Sequence, residues 1–424
     1  MKTHSSATSP RRPLVKAALL ASLFTSSMAV QAGDLFVISV TTGPAVAPVG
    51  SKSVVDLVDQ LVNNSGQFTP LVGSAYTAGL NYAGVPNAIT FSGNALGTGA
   101  TLAIPSTGFS RLFTGVNRAE VEGKIETFLK TEGAAELAKF FKVMAAQSLV
   151  TITDGNPNSS TARTGSDAFQ NYGMTFAETK EEKNADKPNT ARVGFGIIAD
   201  VGSFDANGIK GTVYSLPVFA RFKLTDRVGL NLDLPLNYTE IEGAKAFGVG
   251  LGVGIPVKVI PRTKDNPWYW QLTPFGGANA TASKDLAAGG LLANGGVNSL
   301  LAYDFGPFAV SMGNHFSLYE GVPITVSGYK FDPGVSQQIL KNGFKLDVPV
   351  GQRWIFDVYA VHTKFLTAAA VDQYITLGGE VGYRMLGKAG AAKKGGGYMK
   401  LGLYADVGDN YTSAHAQFGS GWKF

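Results

Sequence analysis

Between residues 227 and 239 the chain alternates without exception. Val228, Leu230, Leu232, Leu234, Leu236 and Tyr238 fall on one side, and Gly229, Asn231, Asp233, Pro235 and Asn237 on the other. A period of two belongs to an extended strand, whose successive side chains point to opposite faces. A helix would instead group residues three and four apart. The unbroken apolar face is longer than a strand of a soluble sandwich ordinarily presents, and it suits a tilted strand crossing a bilayer, which needs about 9–11 residues.

The pattern recurs through the C-terminal half. Val193, Phe195, Ile197 and Ala199 oppose Gly194, Gly196 and Asp200, and Leu216, Val218, Ala220 and Phe222 oppose Ser215, Pro217, Arg221 and Lys223. Phe344, Leu346 and Val348 oppose Lys345 and Asp347, while Ile375, Leu377, Val381 and Tyr383 oppose Thr376, Glu380 and Arg384. Met399, Leu401, Leu403 and Ala405 oppose Lys400, Gly402 and Asp406. Beyond residue 32 no apolar run approaches the roughly 20 residues of a membrane helix. A membrane-spanning chain of this kind has to close its strands into a barrel, because lipid offers no partner for an open edge.

The expected fold is therefore mainly β: a transmembrane antiparallel β-barrel of about 12 strands over residues 190–424, preceded by an N-terminal α+β segment over 33–189. The strands are expected near 191–201, 210–224, 227–240, 244–260, 267–281, 286–304, 307–319, 341–350, 352–365, 372–386, 397–408 and 412–424. An even number returns both ends of the barrel to one side, the periplasmic one. Tight connections at Thr225-Asp226-Arg227, Asp304-Phe305-Gly306 and Val350-Gly351-Gln352 fall on that side, and the longest, between residues 319 and 341, falls outside. The stretch 387–397, with Lys393 and Lys394, departs from this rule by being long for a periplasmic turn.

The N-terminus reads as a secretory leader over residues 1–32. Arg11, Arg12 and Lys16 precede an uncharged apolar run from Ala17 to Val30, and Val30-Gln31-Ala32 offers a small-residue cleavage site before Gly33. The chain ends Phe418-Gly419-Ser420-Gly421-Trp422-Lys423-Phe424, which puts Phe418, Trp422 and Phe424 on one face and His415, Gln417 and Lys423 on the other. This ending resembles the C-terminal β-signal of Gram-negative outer-membrane barrel proteins. The resemblance implies location in the outer membrane, contact with its lipid, and recognition of Phe418, Trp422 and Phe424 by the barrel-assembly machinery. Aromatics near strand ends (Tyr214, Tyr238, Trp268, Trp270, Trp354, Tyr383 and Trp422) suit an interfacial girdle.

On the inward phase stand Asp200, Arg221, Lys223, Asp233, Lys345, Asp347, Asp357, Glu380, Arg384, Lys400, Asp406 and Lys423. They are the expected lumen-lining set, and they fit either a polar passage or a set of internal salt bridges. Ahead of the barrel, Val121, Ile125, Phe128 and Leu129, then Leu137, Phe140, Phe141 and Met144, follow helical spacing on either side of Gly133. Leu35 to Val40, Ala88 to Ser92 and Thr101 to Ile104 read as short strands. Residues 154–167, rich in Gly, Asn, Pro, Ser and Thr, and the charged stretch 178–189 read as loop and linker.

Catalytic and metal signals are thin. The chain has no cysteine, which excludes disulfides and thiol chemistry. His315, His362 and His415 follow the leader without metal-ligand spacing, so no cofactor or metal is expected. No basic run combines with interleaved aromatics as nucleic-acid binding requires. Asn314-His315-Phe316-Ser317 resembles the His-x-Ser arrangement of outer-membrane phospholipases and lipid A deacylases. The Asn that follows the serine in those families is replaced by Leu318, and the phase turns His315 and Ser317 inward, away from lipid. The sequence thus points to a non-enzymatic outer-membrane barrel, a channel or solute transporter whose lumen is occluded by the N-terminal region. An autotransporter-like translocator, which the layout also resembles, and a surface adhesin contacting partners through the long loop are the alternatives.

Overall fold

The computed structural model describes residues 34–42, 45–63, 73–163, 193–261, 263, 265–326, 329–351, 353–385 and 396–423. The leader with its Ala32 and Gly33 cleavage site, the linker 178–189, most of the stretch 387–397, Gln352, Phe424 and the Lys423 side chain lie outside the described residues.

The chain forms two compact units, Met1–Gly133 and Ala134–Phe424. In the first, strands β1 (Phe36–Thr42), β2 (Ala45–Ser51), β3 (Tyr76–Tyr82), β4 (Val85–Gly93), β5 (Gly99–Ile104) and β6 (Phe109–Thr114) make one antiparallel sheet in the order β2-β1-β3-β4-β5-β6. Helix α1 (Val54–Asn63) follows β2, and α2 (Arg118–Lys130) follows β6. Asn117 caps α2 by accepting from the Glu120 amide, and the Glu120 carboxylate accepts from the Val116 amide, so two otherwise orphaned donors are satisfied. Val121, Ile125 and Phe128 of α2 then bury against Ala100, Leu102 and Phe113 of the sheet. Helix α1 was not expected from the sequence.

The second unit opens with α3 (Ala134–Gln147) and a segment that runs to Arg163, irregular at first and helical over 160–163, and continues into a closed 12-strand antiparallel barrel. Four barrel strands are unbroken from turn to turn on the first side: β7 (Val193–Ala206), then, after the interrupted strands, β14 (Trp268–Ser283), β15 (Ala288–Asp304) and β16 (Ala309–Val322). Three strands are interrupted at prolines: β8 (Ile209–Ser215) and β9 (Val218–Lys223) at Pro217, β10 (Gly229–Leu234) and β11 (Leu236–Ile241) at Pro235, β12 (Ala244–Gly254) and β13 (Val257–Ile260) at Pro256. Proline has no N–H to give the ladder, but its carbonyl still accepts. The Ile198 amide donates to Pro217, Gly250 to Pro235 and Gly229 to Pro256, which keeps the wall continuous. A small hairpin of β17 (Ile324–Val326) and β18 (Tyr329–Phe331) precedes β19 (Ser336–Val350), β20 (Trp354–Phe365), β21 (Gln373–Met385), β22 (Gly396–Gly408) and β23 (Tyr411–Lys423). The pairing of Gly194 with Lys423 through Ala206 with Tyr411 joins β7 to β23 and closes the barrel.

The alternation holds in three dimensions. Phe344, Phe356, Val358, Leu377, Leu401 and Leu403 are exposed on the outside, and Lys345, Asp357, Lys400 and Tyr404 beside them in sequence are buried inside. Outward aromatics gather at the rim where the first barrel strand begins and the last one ends: Trp268 packs on Tyr303, and Trp354 on Tyr383.

One expectation needs correction. The long connection is residues 323–335, because β16 runs on to Val322 and β19 begins at Ser336. On the same rim, Asn207-Gly208 and Glu242-Gly243 are two-residue turns with positive φ at both positions. Residues 134–163 cluster with the barrel strands in the second compact unit.

Candidate functional site

Residues 148–163, polar enough to pass for a solvent loop, are largely buried: Asn156, Ser159 and Thr161 are 0% exposed. Buried polar groups have to find partners, and these do. Asn156 Nδ2 donates to the Thr151 carbonyl at 2.7 Å, Ser159 Oγ to the Asn156 carbonyl at 2.6 Å, and Thr161 Oγ1 to Asp154 Oδ1 at 2.7 Å. Burial pushes the Asp154 carboxyl above its ordinary value, against the opposing pull of hydrogen bonds from Thr161, the Gly155 amide and Gln337. Gly155 sits at φ +88°, and a Cβ there would meet the Ala145 carbonyl oxygen at 1.9 Å, so only glycine lets the coil turn back against α3.

The wall holds this segment at successive depths. At the rim opposite Val193 and Lys423, where the first and last barrel strands begin and end, the Ala370 amide donates to the Ala145 carbonyl and the Val371 amide to the Gly155 carbonyl, both at 3.0 Å. Pro333 and Gly334 of the long loop lie against the same region: a Cβ on Gly334 would strike the Ala138 carbonyl of α3. Gln337, the second residue of β19, donates to Asp154 at 3.3 Å. Four residues further on, roughly 13 Å along the strand axis at about 3.3 Å per residue, Lys341 Nζ donates to the Ala162 carbonyl at 2.9 Å. Arg163 then reaches Asp200 in the middle of β7, at 3.0 Å. Sequence number and depth rise together.

The charged residues expected in the lumen separate into groups. Asp347, Asp357 and Glu380 sit directly opposite one another across β19, β20 and β21. Like charges in facing positions repel; here lysines interleave them. Lys345 Nζ lies 2.8 Å from Asp347 and 3.3 Å from Asp357, and Lys400 Nζ pairs with Asp357 and, at 3.1 Å, with Glu380. Gln417 donates to Glu380 from the next strand but one. Asp200 and Asp406 form a second group. Asp200 Oδ2 receives Arg163 Nη2, Tyr404 Oη at 3.1 Å and His415 Nδ1 at 3.2 Å. Asp406 receives Thr376 Oγ1 at 2.5 Å and Ser413 Oγ at 2.8 Å. The Tyr404 and His415 rings stack, with centroids 4.4 Å apart, and Gly202 leaves the imidazole its space.

Nearer the chain ends, half-buried Arg221 and Asp233 pair at 2.6 Å, Lys223 turns to Asp226 of the adjoining turn, and Arg384 is half-buried. Trp422 and Phe418 stand on the outer face, 44% and 41% exposed. Lys341, Tyr404, His415 and Gln417 escaped the sequence reading as site residues although their strand phase was inward; Gln337 fell within the expected long connection, and Arg163 carried no periodicity that could have announced it.

His315 and Ser317 do meet. Ser317 Oγ lies 3.0 Å from His315 Nε2, and Asn298 Oδ1 lies 2.5 Å from His315 Nδ1, a Ser–His–Asn chain that sequence spacing did not reveal in full. Both residues are buried on the inner face, under the ring of Phe275. Ser413 and His415 repeat the motif on β23, at 3.1 Å. Two residues apart on one strand face is enough to create it, so the contact by itself is ordinary satisfaction of a buried imidazole.

A closed antiparallel barrel with an even strand count, an apolar exterior and a charged, hydrogen-bonded interior defines an outer-membrane β-barrel protein. The chain is similar to the translocator domain of the autotransporter NalP from Neisseria meningitidis, at 12% identity and a TM-score of 0.40, over 62% of this chain and 98% of that one. It is also similar to an outer-membrane channel from Pseudomonas putida F1, at 12% identity and a TM-score of 0.40, over 58% of this chain and 100% of that one. A toluene transporter from Ralstonia pickettii, TbuX, resembles it at 10% identity and a TM-score of 0.32, over 56% of this chain and 92% of that one. No protein-family model and no curated protein sequence matches the chain.

Proposed function

We propose that the protein is an outer-membrane barrel stoppered by its own residues 134–163, with the N-terminal unit carried on the outward side. This is the layout of a translocator that displays a small folded passenger. The observation behind the reading is the depth order: Asp154 at the rim with Gln337, Ala162 deeper with Lys341, Arg163 midway down with Asp200. The chain therefore enters the lumen at the rim opposite the strand ends and runs inward. With both ends of an even-stranded barrel periplasmic, that rim faces outward, and residues 33–133 precede it. The leader and the C-terminal aromatics Phe418, Trp422 and Phe424 supply the route, through secretion to the assembly machinery and into outer-membrane lipid.

The absence of cysteine makes the test clean. A single thiol at Val116→Cys, a position 83% exposed in the first unit, should react with a membrane-impermeant maleimide in intact cells. Asp226→Cys, in an exposed turn at the other end of the barrel, should react only after the outer membrane is opened. Equal protection of both sites would place the N-terminal unit in the periplasm and remove the display reading.

A solute channel is the second reading, favoured by the charged wall that surrounds the inner segment. It requires the segment to leave its seat. In neither reading does the loop 323–335 act as a free adhesive element, since it packs against α3.

A further inference from the structure

The buried carboxylates of the wall are not all neutralised from the wall. Asp347, Asp357 and Glu380 have Lys345 and Lys400, which the barrel strands themselves supply. Asp200 and Asp406 have no barrel lysine or arginine among the described ion pairs; the full cation at Asp200 is Arg163, brought by the inner segment, and His415 stands between the two acids. Asp200 is 6% exposed, and its Oδ1 makes no hydrogen bond among the described residues. A buried carboxylate left without a cation is costly, and a guanidinium, planar and weakly hydrated, is the cation best suited to such a place.

We infer that Asp200, with Tyr404 and His415 flanking it and Asp406 beside it, is a guanidinium-binding site in the barrel lumen, filled in this state by the chain's own Arg163 and open to an arginine-bearing solute when Arg163 is withdrawn. The seat has the parts such a ligand needs. Tyr404 Oη and His415 Nδ1 fix one carboxylate oxygen from the far side. The other oxygen remains for a second N–H, as a fork-shaped donor offers. The stacked Tyr404 and His415 rings hold the carboxylate's partners in place, and the second acid adds attraction for positive charge. An anionic solute is repelled here, and a neutral donor brings no charge to offset the acids. The site rests on the reading that residues 134–163 occupy the lumen, and it assigns that occupancy a chemical competitor.

The test is a calorimetric titration of methylguanidinium into the full-length protein in detergent, with tetramethylammonium as a cation that cannot donate hydrogen bonds. Arg163→Ala should bind methylguanidinium saturably at one site, wild type should bind at least tenfold more weakly because Arg163 already fills the seat, and Arg163→Ala combined with Asp200→Asn should not bind. Tetramethylammonium should not saturate any of them. Arg163→Gln, which keeps the side-chain bulk, serves in the same way if the alanine variant does not fold. A folded Arg163 variant that shows no saturable binding, or one whose binding survives Asp200→Asn, overturns the proposal. Neither result bears on the labelling of Val116→Cys in intact cells, so failure of the site and failure of the display reading remain separate.

Discussion

Two stretches of the barrel interior solve the same electrostatic problem in different ways. Across β19 to β22 the strands bring their own lysines, and Asp347, Lys345, Asp357, Lys400 and Glu380 form a ladder whose described ion pairs all lie within the wall. Across β22, β23 and β7, Asp200 takes its cation from a segment that is not part of the wall. The ladder holds the barrel to itself. The Arg163–Asp200 pair ties the inner segment to the wall, and the guanidinium site proposed above makes that tie exchangeable. The difference separates a structural use of buried charge from one that can be regulated.

The comparison can be broken most forcefully at Lys400. Lys400→Met leaves Asp357 and Glu380 facing one another with half their compensation gone, and losing one partner of a buried pair costs about 3–5 kcal/mol. The temperature at which the unboiled protein converts to its slow, unfolded gel form should fall steeply. An unchanged temperature would mean that the ladder contributes nothing to the wall.

Arg163→Ala should act on the other stretch. The loss should appear mainly as faster proteolysis within residues 148–163, with a smaller fall in the heat-modifiable transition than Lys400→Met gives, because Tyr404 and His415 still donate to Asp200. A fall in that transition equal to the Lys400→Met effect would erase the distinction between the two stretches.

The smallest effect sharpens the account at the rim. Seating raises the Asp154 carboxyl above its ordinary 3.8, so the seated state favours the protonated form. Its contribution to seating is fully present below the unseated value and is lost as pH rises through the raised one. Proteolysis of the segment should therefore slow as pH falls through that acid window, and Asp154→Asn should remove the dependence without abolishing seating. Release on acidification that persists in Asp154→Asn would assign the pH effect to another group.

How much of this was legible beforehand varies with the kind of order involved. Barrel strands advertise themselves, because one face meets apolar surroundings and the other does not; twelve segments and their inward phase could be read from residues such as Val228 to Tyr238 and Phe344 to Val348. The ladder was legible for the same reason, although which lysine meets which acid depends on register. The inner segment was not. Asn156, Ser159 and Thr161 look like loop residues, and they are buried only because the wall and their own turns satisfy them. Helix α1 was overlooked despite Val54, Leu57, Val58 and Leu61 at helical spacing, a short signal among strand-like neighbours. Arg163 had no pattern to belong to, since its role comes from a chain path and not from a period.

The most direct test of the whole account is single-channel conductance in planar bilayers. The intact protein is compared with the same protein in which residues 134–163 are replaced by a Gly/Ser linker of equal length. The account predicts a closed intact barrel and a conducting replacement. A steady open current from the intact protein, at the level of the replacement, would contradict it.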